Sequence, residues 1–346
     1  MYILLLASFF VVLLFYLSGL RSLLEAEVRR SLLAAWAPST LKNMQTQFDL
    51  FVKFCTAFNY KCLPASVHTL CAFAQFLARD FKAPSSIKNY LVGVKWFHVL
   101  SGLDTAQFDH LSLKLLHKGI ARIKKHQPQQ ALPITPEILE DIHGKLDLSV
   151  VEDISFWTLL LFGFFLMARK SNLVPDTISK FDTFRHLCRG DVRLSDNLML
   201  VSLKWSKTNQ LGDRQHYVPL LAMQHSNLCP VGAFKRLIRQ VPGTSQSPLF
   251  CMTKKKKLVP MTYKFLQLRL KHLIGATGRA PEAYSSHSLR RGGATFAAAA
   301  GVPRHCIQQV GDWKSDAVDQ YLHNHLQSRV QAAQLMREEL YNSSTA

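Results

Sequence analysis

His287-Ser-Leu-Arg290-Arg291-Gly-Gly293, followed by Gly311-Asp-Trp313-Lys-Ser-Asp-Ala-Val-Asp-Gln-Tyr321, decides how this chain is read. His287 and Arg290 are three residues apart, so a helix sets them on one face, one turn from each other. Trp313 follows Arg290 by 23 residues, and Tyr321 follows Trp313 by eight. The stretch therefore supplies an imidazole, a guanidinium, an indole N–H and a phenol in fixed order. Gly292-Gly293 lets the chain pack closely after the His/Arg turn. It is not a nucleotide loop, because neither Gly-x-Gly-x-x-Gly nor Gly-Lys-Ser/Thr occurs.

Working outward, the charge balance points to a polyanion. The 346 residues include 42 Lys and Arg against 23 Asp and Glu, a net charge of +19. A basic tail does not account for this: residues 1–130 hold 15 basic and 6 acidic residues, and residues 131–346 hold 27 and 17. Two basic domains suit a clamp around nucleic acid. The hydrophobic fraction of 48% is that of a folded chain with a packed core. The seven cysteines are irregularly spaced, without Cys-x-x-Cys, and several fall in apolar helical patterns. They read as buried free thiols in a reducing compartment, not as disulfides or a zinc site. His323 and His325 lack the partners of a metal motif and read as surface residues, so no metal or cofactor is expected.

Residues 1–35 are an apolar leading segment, and residues 2–20 carry no charge. That run is long enough to span a bilayer, but no basic residue precedes it as in a secretory signal. Three readings stay open: a membrane anchor, a helix buried in the fold or against a partner, and upstream sequence read from a misplaced start.

The rest divides into a helical module at 36–126, a proline-bearing linker at 127–136 and a second domain at 137–346. In the module, Pro38-Ser39-Thr40 starts a helix with a hydroxyl available to cap it, and Phe48, Phe51, Val52 and Cys55 form its apolar face. A second helix covers about 66–81, a third starts at Pro84 with Ile87, Tyr90, Leu91, Val94 and Phe97 facing inward, and a fourth covers about 109–125. In the second domain a helix is expected at about 136–147, and an apolar core helix at 151–168 runs into Arg169. The period then changes to that of strands at 191–194, 198–207 and 215–220. Helices resume at Pro230 and continue to the end. The last, at 325–340, carries a stripe of Leu326, Val330, Ala333, Met336 and Leu340. The fold class is mainly α with a small antiparallel β-sheet.

Phosphodiester transfer spreads negative charge over the non-bridging oxygens, and positioned cations stabilise it. Arginine meets two phosphate oxygens at once. A protein nucleophile conserves the bond as a phosphoester, and a Lys or His protonates the leaving 5′ oxygen. In this light the chain resembles the tyrosine recombinases, which include the phage integrases and the Xer and Cre-type enzymes. Within them it is most similar to the recombinases of DIRS- and Ngaro-type retroelements and Crypton transposons. The resemblance lies in Ala168-Arg169-Lys-Ser-Asn-Leu-Val-Pro175, Lys204-Trp-Ser-Lys207-Thr, His287–Thr295 and Gly311–Leu322. It covers about residues 135–325; the helical module fits the family's SAM-like core-binding domain in position and type only.

The resemblance implies these roles. Arg169 and Arg290 clamp the scissile phosphate. His287 bonds the same phosphate and assists proton transfer. Lys207 is the acid for the departing 5′ hydroxyl, Trp313 donates its indole N–H to phosphate, and Tyr321 forms a 3′-phosphotyrosyl link. Asn172 stands where the family usually has an acidic residue. The eight-residue Trp-to-Tyr interval fits the retroelement branch. Lys124, Lys125, Arg291, Lys254, Lys255, Lys256 and Lys257 are further candidate DNA contacts, with a solvated loop as the plain alternative for the lysine run. The expected partner is double-stranded DNA, bound by a homotetramer on two DNA sites in the nucleus; the membrane enters only if residues 2–20 are an anchor. The expected activity is site-specific DNA recombination for a mobile element. A catalytically inactive, domesticated DNA-binding protein is one rival, and a type IB topoisomerase another.

Overall fold

The computed structural model describes residues 21–126, 130–206, 209, 214–314 and 316–320, and single positions between 330 and 341. The chain divides into two compact units, residues 1–129 and residues 130–346.

The first unit is helical. After a helix over 21–34 come α1 (Pro38–Phe58), α2 (Val67–Asp80), α3 (Pro84–Leu100) and α4 (Leu111–Lys124). Pro38 and Pro84 sit at the first helical position, where a missing N–H costs nothing. The expected hydroxyl cap of α1 is absent: the cap residue is Ala37, whose carbonyl accepts the Thr40 N–H at 2.8 Å. Ser66 does cap α2, its Oγ accepting from the Thr69 N–H at 3.0 Å. Phe51, Phe73, Leu70, Ile87 and Val94 close the core. His98, fully buried in α3, accepts the Ala65 N–H on Nε2 at 2.9 Å, so its Nδ1–H donates to the Val94 carbonyl, also at 2.9 Å. Both ring nitrogens are thereby satisfied, and the loop before α2 is tied to α3.

The second unit is built round α6 (Val151–Phe165), which follows α5 (Pro136–His143). Every α6 residue from Asp153 to Phe164 is buried. Phe162 meets Phe234 and Phe250 at ring-centre distances of 6.2 and 5.7 Å. The apolar run continues past Phe165, but the helix does not: Met167 has φ +47°, and Arg169 lies outside it as the extended residue before α7 (Lys170–Leu173). This corrects the expected helix over 151–168.

Strands β1 (Val192–Leu194), β2 (Leu198–Leu203) and β3 (His216–Leu221) form an antiparallel sheet in that order. Met199, Val201 and Leu203 face the core with Val218 and Leu220. After α8 (Pro230–Gln240), a second hairpin of β4 (Cys251–Lys254) and β5 (Lys257–Pro260) interrupts the expected run of helices. Lys254 pairs with Lys257 across its turn, where Lys255 and Lys256 adopt φ +49° and +60°. Two consecutive left-handed residues make the turn whose twist matches a hairpin.

Helices α9 (Tyr263–Ala276), α10 (Ser286–Ala299) and α11 (Arg304–Val310) follow. Ser285 caps α10. The stretch before α5 runs along α10, with the Ile134 N–H donating to the Ser288 carbonyl at 3.0 Å and the Ile134 side chain fully buried. Gly292 and Gly293 make this possible: a Cβ on the first would overlap the Ile134 carbonyl oxygen, and on the second the Phe164 carbonyl oxygen. The terminal helix stripe is described only at Val330, Ala333 and Met336, which are helical and exposed; Leu326 and Leu340 lie outside the described residues. Residues 2–20 also lie outside them, and among the described residues no helix is long and apolar enough to cross a membrane. All seven cysteines are free.

The two kinds of helical glycine give a paired prediction. Gly292→Ala forces backbone apart and lowers stability by about 1–3 kcal/mol or more. In α4, Gly119 has nothing within 4 Å of its would-be Cβ, so Gly119→Ala raises stability by about 0.5–1 kcal/mol. Urea unfolding of the two variants checks both signs.

Candidate active site

The bend at Met167 and the left-handed residue Asp312 aim two arginines into one small cleft. It is lined by Arg169, Asn172, Ser206, His216, Arg290 and Asp312. Arg169 Nη2 donates to the Asp312 carbonyl at 3.1 Å, and its Nη1 lies 3.7 Å from Asp312 Oδ2. Arg290, 2% exposed, donates from Nη1 to the Met167 carbonyl oxygen. Its guanidinium lies 3.7 Å from the ring centre of Trp313, a cation–π contact.

Trp313 is buried with Met167, Ala294, Ile307 and Val318. Gly311 is needed two residues earlier, because a Cβ there would overlap the indole. Asn172, also buried, donates from Nδ2 to the Trp205 carbonyl oxygen and so ties α7 to the segment leaving β2. That segment is closed by Ser206 and Asn209, whose backbones exchange hydrogen bonds of 3.3 and 3.1 Å.

His287 lies in the first turn of α10, its N–H donating to Ser285 Oγ at 3.2 Å. The residue is exposed at the surface, yet desolvation by the protein around it lowers its pKa from the ordinary 6.5. Arg290, Lys170, Arg169 and Arg291 push in the same direction, since each cation disfavours a second positive charge. His216 is also lowered, chiefly by burial, with Asp312 opposing; its Nε2 lies 3.1 Å from the Val310 carbonyl oxygen.

The structure thus brings Arg169, His287, Arg290 and Trp313 together. Lys207 and Tyr321 lie outside the described residues, as do His323 and His325. The turn before Tyr321, Asp316–Gln320, is anchored by Arg304, which pairs with Asp316 and Asp319 at 2.7 Å each. Of the further DNA-contact candidates, Lys124 ends α4, Lys125 follows it at φ +46°, and Lys254 to Lys257 are exposed on the β4–β5 hairpin. Arg291 differs: it is 7% exposed and donates to Gln130 Oε1 at 2.6 Å, inside the unit and not on its surface. The sequence reading missed Asp312 and Arg214. Their one signal is a carboxylate directly before Trp313 in a strongly basic chain. No group of residues able to hold a metal ion occurs among the described residues.

With this geometry in place, comparison with known proteins is informative. Residues 176–328 match the phage integrase family. An integrase/recombinase xerD homolog from Selenomonas ruminantium is 24% identical over 281 residues, covering 80% of this chain and 78% of that protein. The fold is similar to that of the XerH site-specific recombinase bound to its difH substrate in a pre-cleavage complex, with a TM-score of 0.57, 16% identity, and coverage of 85% of this chain and 78% of that one. It is also similar to the Tn1549 transposon integrase in complex with circular intermediate DNA, with a TM-score of 0.52, 15% identity, and coverage of 79% and 86%. The family match is confined to residues 176–328, and the likeness to the solved recombinases is one of fold.

The histidines set a pH dependence. His186, His216 and His287 all have lowered pKa values, burial being the first cause of each. Unfolded histidines take up protons near pH 6.5 and these folded ones do so later, so their stabilising contribution is present above that pH and is lost as pH falls below it. The urea midpoint is expected to be lower at about pH 5.5 than at about pH 7.5. By NMR, His287 should titrate below 6.5, and Lys170→Gln should move its midpoint up. An unshifted midpoint would contradict the placement of His287 among these cations.

Proposed function

We propose that this chain is a site-specific DNA recombinase of a mobile element, cutting and rejoining DNA through a 3′-phosphotyrosyl intermediate. The observation that carries the reading is the convergence of Arg169 and Arg290 on one cleft, with Trp313 against the second guanidinium and His287 one turn from it. Two guanidiniums in a nearly closed cleft suit the charge that grows on non-bridging phosphate oxygens. Neutral His287 can accept a proton or donate its N–H there.

In the proposed step the Tyr321 phenol oxygen bonds to phosphorus as the P–O5′ bond breaks. The phenol gives its proton to neutral His287, and Lys207 donates one to the departing 5′ oxygen. Attack by a 5′ hydroxyl on the phosphotyrosine reverses the exchange with a new strand and releases the tyrosine. Lys204, the nearby alternative to Lys207, is held 2.7 Å from Asp191 Oδ2, which supports assigning the acid to Lys207. The basic surfaces at Lys124–Lys125 and Lys254–Lys257 suit duplex phosphates. The family resemblance supports the finer parts of the reading: a homotetramer on two DNA sites, an element of DIRS, Ngaro or Crypton type, and action in the nucleus.

The test is to produce the full chain in eukaryotic cells, lyse them in denaturant and measure DNA that stays covalently attached to it. Attachment is expected with the wild type and lost with Tyr321→Phe. Arg169→Ala should lower it by about 100-fold to 1,000-fold, the scale for losing one oxyanion donor. A wild-type chain that binds DNA but forms no adduct would favour the domesticated DNA-binding protein. An adduct that survives Tyr321→Phe would place the nucleophile elsewhere.

A further inference from the structure

Asp312 draws together more of the cleft than any residue assigned a chemical role. It is 7% exposed and sits at φ +53°, the left-handed region, which aspartate and asparagine tolerate better than most residues. Its Oδ1 accepts from Arg214 Nη2, and its Oδ2 accepts from Ser206 Oγ. The same Oδ2 faces Arg169 Nη1 at 3.7 Å, and the backbone carbonyl accepts from Arg169 Nη2 at 3.1 Å. His216 also faces it, from the start of β3.

Ser206 and Arg214 stand at the two ends of the segment that joins β2 to β3, and Lys207 lies within that segment. A buried carboxylate is costly without compensating donors, and here the donors are Ser206, Arg214 and the first arginine. The next residue is Trp313, stacked on Arg290. One dipeptide therefore touches Arg169, Arg290 and, at Ser206 and Arg214, both ends of the segment between β2 and β3.

We propose that Asp312 is a positioning residue: its carboxylate ties Ser206 and Arg214, the two ends of the segment between β2 and β3, to Arg169, and it acts on the proposed acid Lys207 through those two ends. It touches no reacting atom and acts through Ser206, Arg214 and Arg169. The mechanistic part of this rests on the recombinase reading above; the clamping of those two ends does not.

Asp312→Asn is the informative variant. It keeps the left-handed backbone and the side-chain shape while removing the charge. In the denatured-lysate assay it should lower covalent adduct by about 10-fold to 100-fold, the scale at which a misplaced group costs rate. Binding of the purified full chain to a random-sequence duplex should stay within about twofold, since no phosphate contact is removed. Adding Arg214→Gln to Asp312→Asn should reduce adduct by less than twofold more, because both act through one segment; independent roles would multiply. A second readout needs no activity: trypsin should cut the native full chain after Lys207 faster in Asp312→Asn, with thermal unfolding checked alongside. Unchanged cleavage together with unchanged adduct would overturn the proposal, as would losses that only track the unfolded fraction. Faster cleavage from a chain whose wild type forms no adduct would uphold the clamp and defeat the recombinase reading instead.

Discussion

Two guanidiniums held in one small cleft are the constraint on which the second unit depends. Like charges in low dielectric repel, and desolvation adds to the cost. The fold answers with an electron-rich partner for each. Arg290 is spread across the Trp313 ring and donates to the Met167 carbonyl oxygen. Arg169 rests on the backbone and carboxylate of Asp312. Neither arrangement tolerates much movement, because a displaced guanidinium would lose its partner while still shielded from water.

Rigidity at that scale has to come from packing. Three backbone segments approach each other at α10: its own first turns, the stretch ending at Ile134 and the end of α6 at Phe164. Gly292 and Gly293 remove the two Cβ atoms that would keep them apart. Two residues before Gly292, Arg290 reaches the Met167 carbonyl, which the left-handed bend after α6 turns toward the cleft. The apolar length of α6 is thus more than core filling. It fixes where the chain leaves the helix, and through that exit it fixes Arg169.

This explains what the sequence revealed and what it concealed. Helix starts at Pro38, Ser66 and Pro84, the three strands and the His287–Arg290 turn were all legible, since each depends on residues within a few positions. The end of α6 was hidden because Leu166 to Ala168 continue its apolar pattern while the backbone bends. The β4–β5 hairpin was hidden because Lys255-Lys256 occupies a turn usually marked by Asn-Gly. Arg291 reads as a surface charge, and only tertiary structure shows it turned inward to Gln130. Asp312 was least legible of all, since its partners lie 143 and 98 positions away in sequence. No local pattern marks a residue whose role is to join distant segments.

The same cations that would grip a phosphate also decide the charge of His287. Burial, Arg290, Lys170, Arg169 and Arg291 all oppose a proton on its ring. The free protein near neutral pH therefore presents an uncharged imidazole beside two fixed positive charges. On the proposed reading, an entering phosphodiester brings one negative charge into that field. It offsets part of the repulsion from the arginines and makes a protonated His287 less costly. The site's capacity to donate a proton would then rise when substrate is present and stay low otherwise, with no conformational change required. A positively charged histidine built in from the start would add repulsion to a cleft already holding two guanidiniums. A neutral one that gains basicity from the substrate's own charge avoids that cost.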